Sequence, residues 1–103
     1  MIKGIGIDLV DIKRIKLDLA RKILSVDEIH QFDKLSDIRK KEYLAGRFAV
    51  KEAYFKASGK NTDFQKLSVI NDENGKPNLN IEKSMVSISH ETDYVVAVVI
   101  LLD

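Results

Sequence analysis

The sequence predicts a single α+β domain over residues 1–103: an N-terminal strand, three helices including one long central helix, then an antiparallel sheet of hairpins. Three observations predict it. Residues 2–9 alternate between two kinds of side chain, the period of a strand. Residues 36–58 contain no proline and stop just before Gly59, the residue that suits the position past a helix end. Beyond Gly59 the apolar period changes to two.

In the first strand Ile5, Ile7 and Leu9 point one way and Gly4, Gly6 and Asp8 the other. One face is apolar. The other is almost free of side chains, ends in a carboxylate, and admits the close approach of a backbone or a ligand. Gly4-x-Gly6 lies within the strand with no third glycine at the spacing of a dinucleotide fingerprint. Ile12, Ile15, Leu19 and Ile23 predict a first helix with Asp11 as its N-cap. Ser25-Val26-Asp27-Glu28 has capping-box spacing, so a short second helix runs to about Lys34. The third helix opens at Ser36 or Asp37, with Gly46 inside it marking a close packing contact. Leu67 and Val69, then Leu79 and Ile81, flank the turn signal Asn74-Gly75 and predict a hairpin. Met85–His90 and Tyr94–Leu102 predict a second, around Glu91-Thr92-Asp93. The almost unbroken apolar run Val95–Ile100 belongs in the middle of a sheet or against another subunit.

Composition narrows the function. There is no cysteine, hence no disulfide framework, no thiolate zinc site and no thiol nucleophile. The apolar N-terminal run is short and Asp8 interrupts it, so neither a membrane span nor a signal peptide is expected, and a cytoplasmic protein is. Net charge is only +1, yet residues 11–23 carry a local +3 and residues 36–60 a local +4. Two basic segments suggest an anionic partner or ligand, or else solvated helix faces. A chain this short gains core by oligomerising.

Two carboxylates carry the chemical interest. At about 100° per residue, Leu44, Phe48 and Phe55 share an apolar stripe of the long helix, and Glu52 falls inside it. An unpaired buried carboxylate costs several kcal/mol, so Glu52 needs a cation, a metal or water. An ordinary Glu52–Lys56 surface pair contributes only ~0.2–0.5 kcal/mol. Asp8, at a glycine-lined strand end, is either a cap or a second ligand. Two carboxylates among Arg47, Lys51 and Lys56 are a poor donor set for zinc but suit Mg²⁺ with phosphate oxygens.

Four blocks then carry a resemblance. Ile5-Gly6-Ile7-Asp8-Leu9-Val10, Gly46-Arg47-Phe48-Ala49-Val50-Lys51-Glu52-Ala53-Tyr54-Phe55-Lys56-Ala57, Asn74-Gly75-Lys76-Pro77 and Val86-Ser87-Ile88-Ser89-His90 resemble, in this order, the holo-[acyl-carrier-protein] synthase family, the small single-domain 4′-phosphopantetheinyl transferases. The resemblance implies the fold of that family and a Mg²⁺-dependent transfer of phosphopantetheine from coenzyme A to a serine of apo acyl carrier protein, with release of 3′,5′-ADP, in fatty acid biosynthesis. It implies Mg²⁺ on Asp8 and Glu52. Glu52, Lys56 and His90 are the catalytic candidates, with Glu52, or a metal-bound water it orients, the leading base and His90 the second. Coenzyme A contacts fall to Arg39, Tyr43, Arg47, Lys51, Asn74, Gly75, Lys76, Pro77 and His90, and a carrier-protein contact to Arg14. A homotrimer with its active sites between subunits is implied as well. The chain is shorter than the family pattern after Gly59, where Lys60-Asn61-Thr62-Asp63 replaces a glycine-rich loop, and before Val86.

Two other readings compete. A small basic module could bind nucleic acid or another anion without catalysis, but its basic segments lack interleaved exposed aromatics, and Glu52 would repel a phosphate backbone. An oligomerisation module explains the apolar last strand and gives Glu52 no purpose.

Overall fold

The computed structural model describes residues 1–103 and is α+β. Five strands, β1 (Ile2–Asp11), β2 (Val69–Asn71), β3 (Pro77–Leu79), β4 (Ser84–His90) and β5 (Tyr94–Leu102), accompany three helices, α1 (Ala20–Ile23), α2 (Val26–Phe32) and α3 (Asp37–Ser58). The first and last strands pair: β5 lies between β1 and β4 in an antiparallel sheet ordered β1-β5-β4, while β2 and β3 form a separate ribbon. The central place of β5 accounts for its apolar run. Val95, Ala97, Val99 and Leu101 are buried against α3, while Val96, Val98 and Ile100 are only half-buried on the other side of the sheet.

In β1 the glycine face points inward. A Cβ on Gly6 would overlap the carbonyl oxygen of Ala53, and one on Gly4 the carbonyl oxygen of Ala57. The bare strand lets α3 lie directly on the sheet. The outward face leaves Ile5, Ile7 and Leu9 64, 57 and 66% exposed.

The helix meets this surface with small side chains. Ala45, Ala49, Val50 and Ala53 are fully buried against β1 and β5. The expected stripe is therefore displaced. Leu44 closes a second cluster with Ala20, Ile23, Leu24 and Phe32, and Phe48 and Phe55 are half-buried around Phe64, with centroid separations of 5.6 and 5.2 Å. Gly59 ends α3 in the left-handed region, φ 71°. Gly46 is buried, but a Cβ there would only touch Val95 Cγ2 at 3.9 Å, an ordinary contact.

The expected first helix is broken. Ile12–Arg14 and Leu17–Leu19 are 3₁₀ turns and only Ala20–Ile23 is α-helical. Asp11 does cap, its Oδ1 accepting from Lys13 N at 3.0 Å. Ile15, however, is extended (φ −71°, ψ 131°). The start of the segment is tied to the sheet, because Ile12 N donates to the Asp93 carbonyl at 2.8 Å. Tertiary anchoring wins over the weak helix propensity of isoleucine. The α2 capping box forms with both arms. Both predicted hairpins form, and the turn of the first is held by Asp72 Oδ1, which accepts from Asn74 N at 2.8 Å and Lys76 N at 2.9 Å. No helix is long and apolar enough to cross a membrane.

Candidate active site

The two carboxylates converge. Asp8 near the end of β1 and Glu52 in the middle of α3 line one cleft, with Arg14, Phe48 and Tyr94 around them. β1 packs along α3, which places the last carboxylate of the glycine face beside the helix. Lys56 Nζ donates to Asp8 Oδ1 at 3.1 Å and to the Ile7 carbonyl at 2.9 Å. The helical Glu52–Lys56 pair does not form; Lys56 serves the strand instead. The Glu52 side chain makes no hydrogen bond or ion pair within the chain, and burial, then the charge of Asp8, hold its pKa above the ordinary glutamate value, opposed by Lys56.

The donor set fits Mg²⁺. Nowhere do three histidine, cysteine, aspartate or glutamate side chains gather as metal ligands, so a closed structural site is absent. Two carboxylates, one without a partner in the chain, meet the need of an ion that keeps waters and takes substrate phosphate oxygens. Arg14 stands at the rim, 88% exposed, its Nε 3.8 Å from Asp11 Oδ2.

A second cleft, of about 460 Å³, is net cationic, with two guanidinium groups against the Glu42 carboxylate. Arg39, Tyr43 and Arg47 of α3 line it with Gly75 and Pro77 of the β2–β3 ribbon and His90 at the end of β4. Arg47 is tightly held. Its Nε and Nη2 donate to the Val69 carbonyl at 3.3 and 3.2 Å, Nη2 also reaches Asn71 Oδ1 at 3.3 Å, and its guanidinium lies 4.1 Å over the Tyr43 ring. Six of the nine predicted coenzyme A contacts thus meet in one place. Asn74 and Lys76 are exposed in the same turn without lining the cleft. His90 lines this cleft and Glu52 the first, so the catalytic candidates are divided between them.

Residues 4–99 match the family model described as the 4′-phosphopantetheinyl transferase superfamily. The chain belongs to that superfamily. The holo-[acyl-carrier-protein] synthases of Staphylococcus saprophyticus and of Geobacillus sp. strain WCH70 are each 45% identical to it, over 98% of this chain and 98 and 97% of theirs. Among solved structures, the Bacillus anthracis holo-(acyl-carrier-protein) synthase in complex with CoA (3′,5′-ADP) superimposes with a TM-score of 0.91 at 40% identity, covering 98% of this chain and 96% of that one. The Helicobacter pylori synthase in complex with coenzyme A gives 0.74 at 29%, over 92 and 96%. The first alignment spans 114 positions against 103 residues here, so the relative carries insertions that this transferase lacks.

One predicted contact of this phosphopantetheinyl transferase is displaced. Lys51 is completely buried, its Nζ donating to Glu28 Oε1 at 2.6 Å and to the Ile23 carbonyl at 2.7 Å. Burial pushes its pKa below the ordinary lysine value, and the hydrogen bond and charge of Glu28 oppose the shift. A cation so engaged does not face the cleft. Its partner Glu28 carries only a capping-box signal in the sequence, which any exposed glutamate satisfies. Nothing in the one-dimensional pattern marks it as buried.

Proposed function

We propose that this protein transfers the 4′-phosphopantetheine arm of coenzyme A to a serine of apo acyl carrier protein. The observation that carries the reading is the pairing of Asp8 with a half-buried, partnerless Glu52 in a chain of this superfamily. The serine oxygen forms a bond to the pantetheine-side phosphorus, the bond to the bridging pyrophosphate oxygen breaks, and 3′,5′-ADP leaves with the electron pair. Glu52 accepts the serine proton. Lys56, 55% exposed beside Asp8, neutralises charge on the departing phosphate. Arg39, Tyr43, Arg47, Gly75, Pro77 and His90 hold the nucleotide end, with Asn74 and Lys76 at its edge. When bound, Mg²⁺ on Asp8 and Glu52 neutralises pyrophosphate oxygens. Exposed Lys13, Arg14 and Arg21 steer an acidic carrier protein, so association weakens with salt. We place this reaction in the cytoplasm.

The two clefts share no lining residue in one chain. We infer that apposed copies complete the site, in a homotrimer. The surface suited to it is the outer face of the main sheet, where Ile5, Ile7 and Leu9 stand opposite Ile100, Val98 and Val96, with Met85 54% exposed beyond them. Ile7→Asp is expected to leave the circular dichroism spectrum unchanged, reduce the mass by light scattering to that of one chain and remove activity. A fully active monomer would contradict the shared site. The transfer itself is tested by the mass of apo acyl carrier protein incubated with the enzyme. A phosphopantetheine increment is expected with coenzyme A and Mg²⁺ together and not when either is left out. An increment undiminished in excess chelator would overturn the metal's role, and none under any condition would overturn the reading.

A further inference from the structure

We propose that Glu28 is a positioning residue for the nucleotide end of the coenzyme A site, acting through the Val69 peptide and Arg47. The inference rests on the transferase reading above and extends it to a residue outside the cleft.

Glu28 and Lys51 are both 0% exposed. Of the Glu28 side chain the capping box needs only the bond from Ser25 N to Oε1, 2.9 Å, which would form equally on a surface helix. A buried ion pair is no better for stability than apolar groups of the same volume. Neither capping nor stability therefore accounts for a carboxylate at this place. The remaining bond does: Glu28 Oε2 accepts from Val69 N at 2.7 Å.

Val69 is held from both sides. Its N–H is fixed by the Glu28 carboxylate, and its carbonyl oxygen takes the two bonds from Arg47. It also opens a ribbon of two three-residue strands, which is marginal without a tether. That ribbon carries Asn71, Gly75 and Pro77 to the cationic cleft. The other wall depends on the same helix turn, since the one Tyr43 Oη–H, beneath the Arg47 guanidinium, is shared between Gln31 Oε1 at 3.0 Å and the Glu28 carbonyl at 3.4 Å. One carboxylate thus sets the ribbon, and the ribbon's first carbonyl sets the guanidinium. Lys51 Nζ holds the other oxygen of that carboxylate, donating to Oε1 at 2.6 Å.

The test uses full-length, folded variants under steady-state kinetics. Glu28→Met/Lys51→Met removes both buried charges and the tether. We expect its KM for coenzyme A to rise about tenfold, the equivalent of one charge-assisted hydrogen bond, while kcat and the KM for carrier protein stay within about twofold. Glu28→Gln/Lys51→Met removes the same charges but keeps an acceptor for Val69 N, and should return to within about threefold of wild type. A merely structural role would lower the active fraction, and hence kcat, in both, and would not separate them. If the double-methionine variant does not fold, Glu28→Gln alone serves. Its amide oxygen stays with Lys51 and its amide nitrogen faces the Val69 donor, so the KM for coenzyme A should rise by a similar factor. Wild-type KM in the tether-free variants, beside a wild-type enzyme that turns over, overturns the positioning role and leaves the transferase reading standing. A wild-type protein without turnover overturns both.

Discussion

Glu52→Gln is expected to keep the fold, raise the melting temperature of the metal-free protein at neutral pH and lower turnover by about 10³-fold or more. Burial and the charge of Asp8 hold the pKa of Glu52 above its ordinary value of 4.5, so the ionised form is a load on the folded chain. A group with a raised folded pKa contributes stability that is full below the unfolded value and is lost as pH rises through the folded value. The gain from glutamine should therefore be present at neutral pH, fade as the pH falls through the raised folded value, and be gone below 4.5, where Glu52 is neutral in both states. Asp8→Asn should lose turnover equally, but it also removes the partner of Lys56, so it brings no such gain. Thermal melts across pH, with single-turnover assays on the same preparations, check both halves. A Glu52→Gln enzyme with wild-type turnover would remove the carboxylate from the mechanism.

The largest structural effect is expected at Gly6. Gly6→Ala puts a methyl group into the carbonyl oxygen of Ala53, with Ala57 N only 2.8 Å from the same point. Those atoms are helix backbone, and no side chain can swing aside. The strand and α3 must separate, which opens the packing of Ala49, Ala53, Ala97 and Val99. A loss of about 3 kcal/mol or more is expected, at the upper end of overpacking costs and a large share of the 5–15 kcal/mol that stabilises a domain. Gly6 is two residues from Asp8, so any folded fraction should also bind divalent cation poorly. Gly46→Ala is the contrast: its Cβ meets Val95 at 3.9 Å, and alanine suits a helix interior better by about 0.5–1 kcal/mol. Urea unfolding of the two variants reads the difference; equal midpoints would show that the strand and helix are not in the close contact described.

Features that depend on short-range chemistry were legible in the sequence. The two-residue period of β1, the end of α3 at Gly59, the capping box at Ser25 and the turn at Asn74-Gly75 all form as read. Asp8 and Glu52 stood out because each carboxylate interrupts a pattern. Features set by what lies opposite were not legible. The glycine face of β1 read as open to a backbone or a ligand, but that α3 is what meets it depends on alanines at every fourth position of that helix, a pairing of residues some 50 positions apart. The phenylalanines of α3 outrank its alanines in hydrophobicity, yet the sheet takes the alanines because closeness, not bulk, is what the glycine strand allows. The first helix failed because the sheet claims Ile12. Lys51 looked like a ligand cation because lysine is usually exposed; its burial follows from Glu28, 23 positions earlier, which itself reads as a cap.

The convergence of Asp8 and Glu52 on one divalent ion is tested most directly by Mn²⁺ titration followed by electron paramagnetic resonance, with coenzyme A present and Mn²⁺ in the place of Mg²⁺. Wild-type protein should take up one ion per chain, and Asp8→Asn and Glu52→Gln should each abolish that uptake while retaining the wild-type circular dichroism spectrum. Equal uptake by all three proteins would contradict the account.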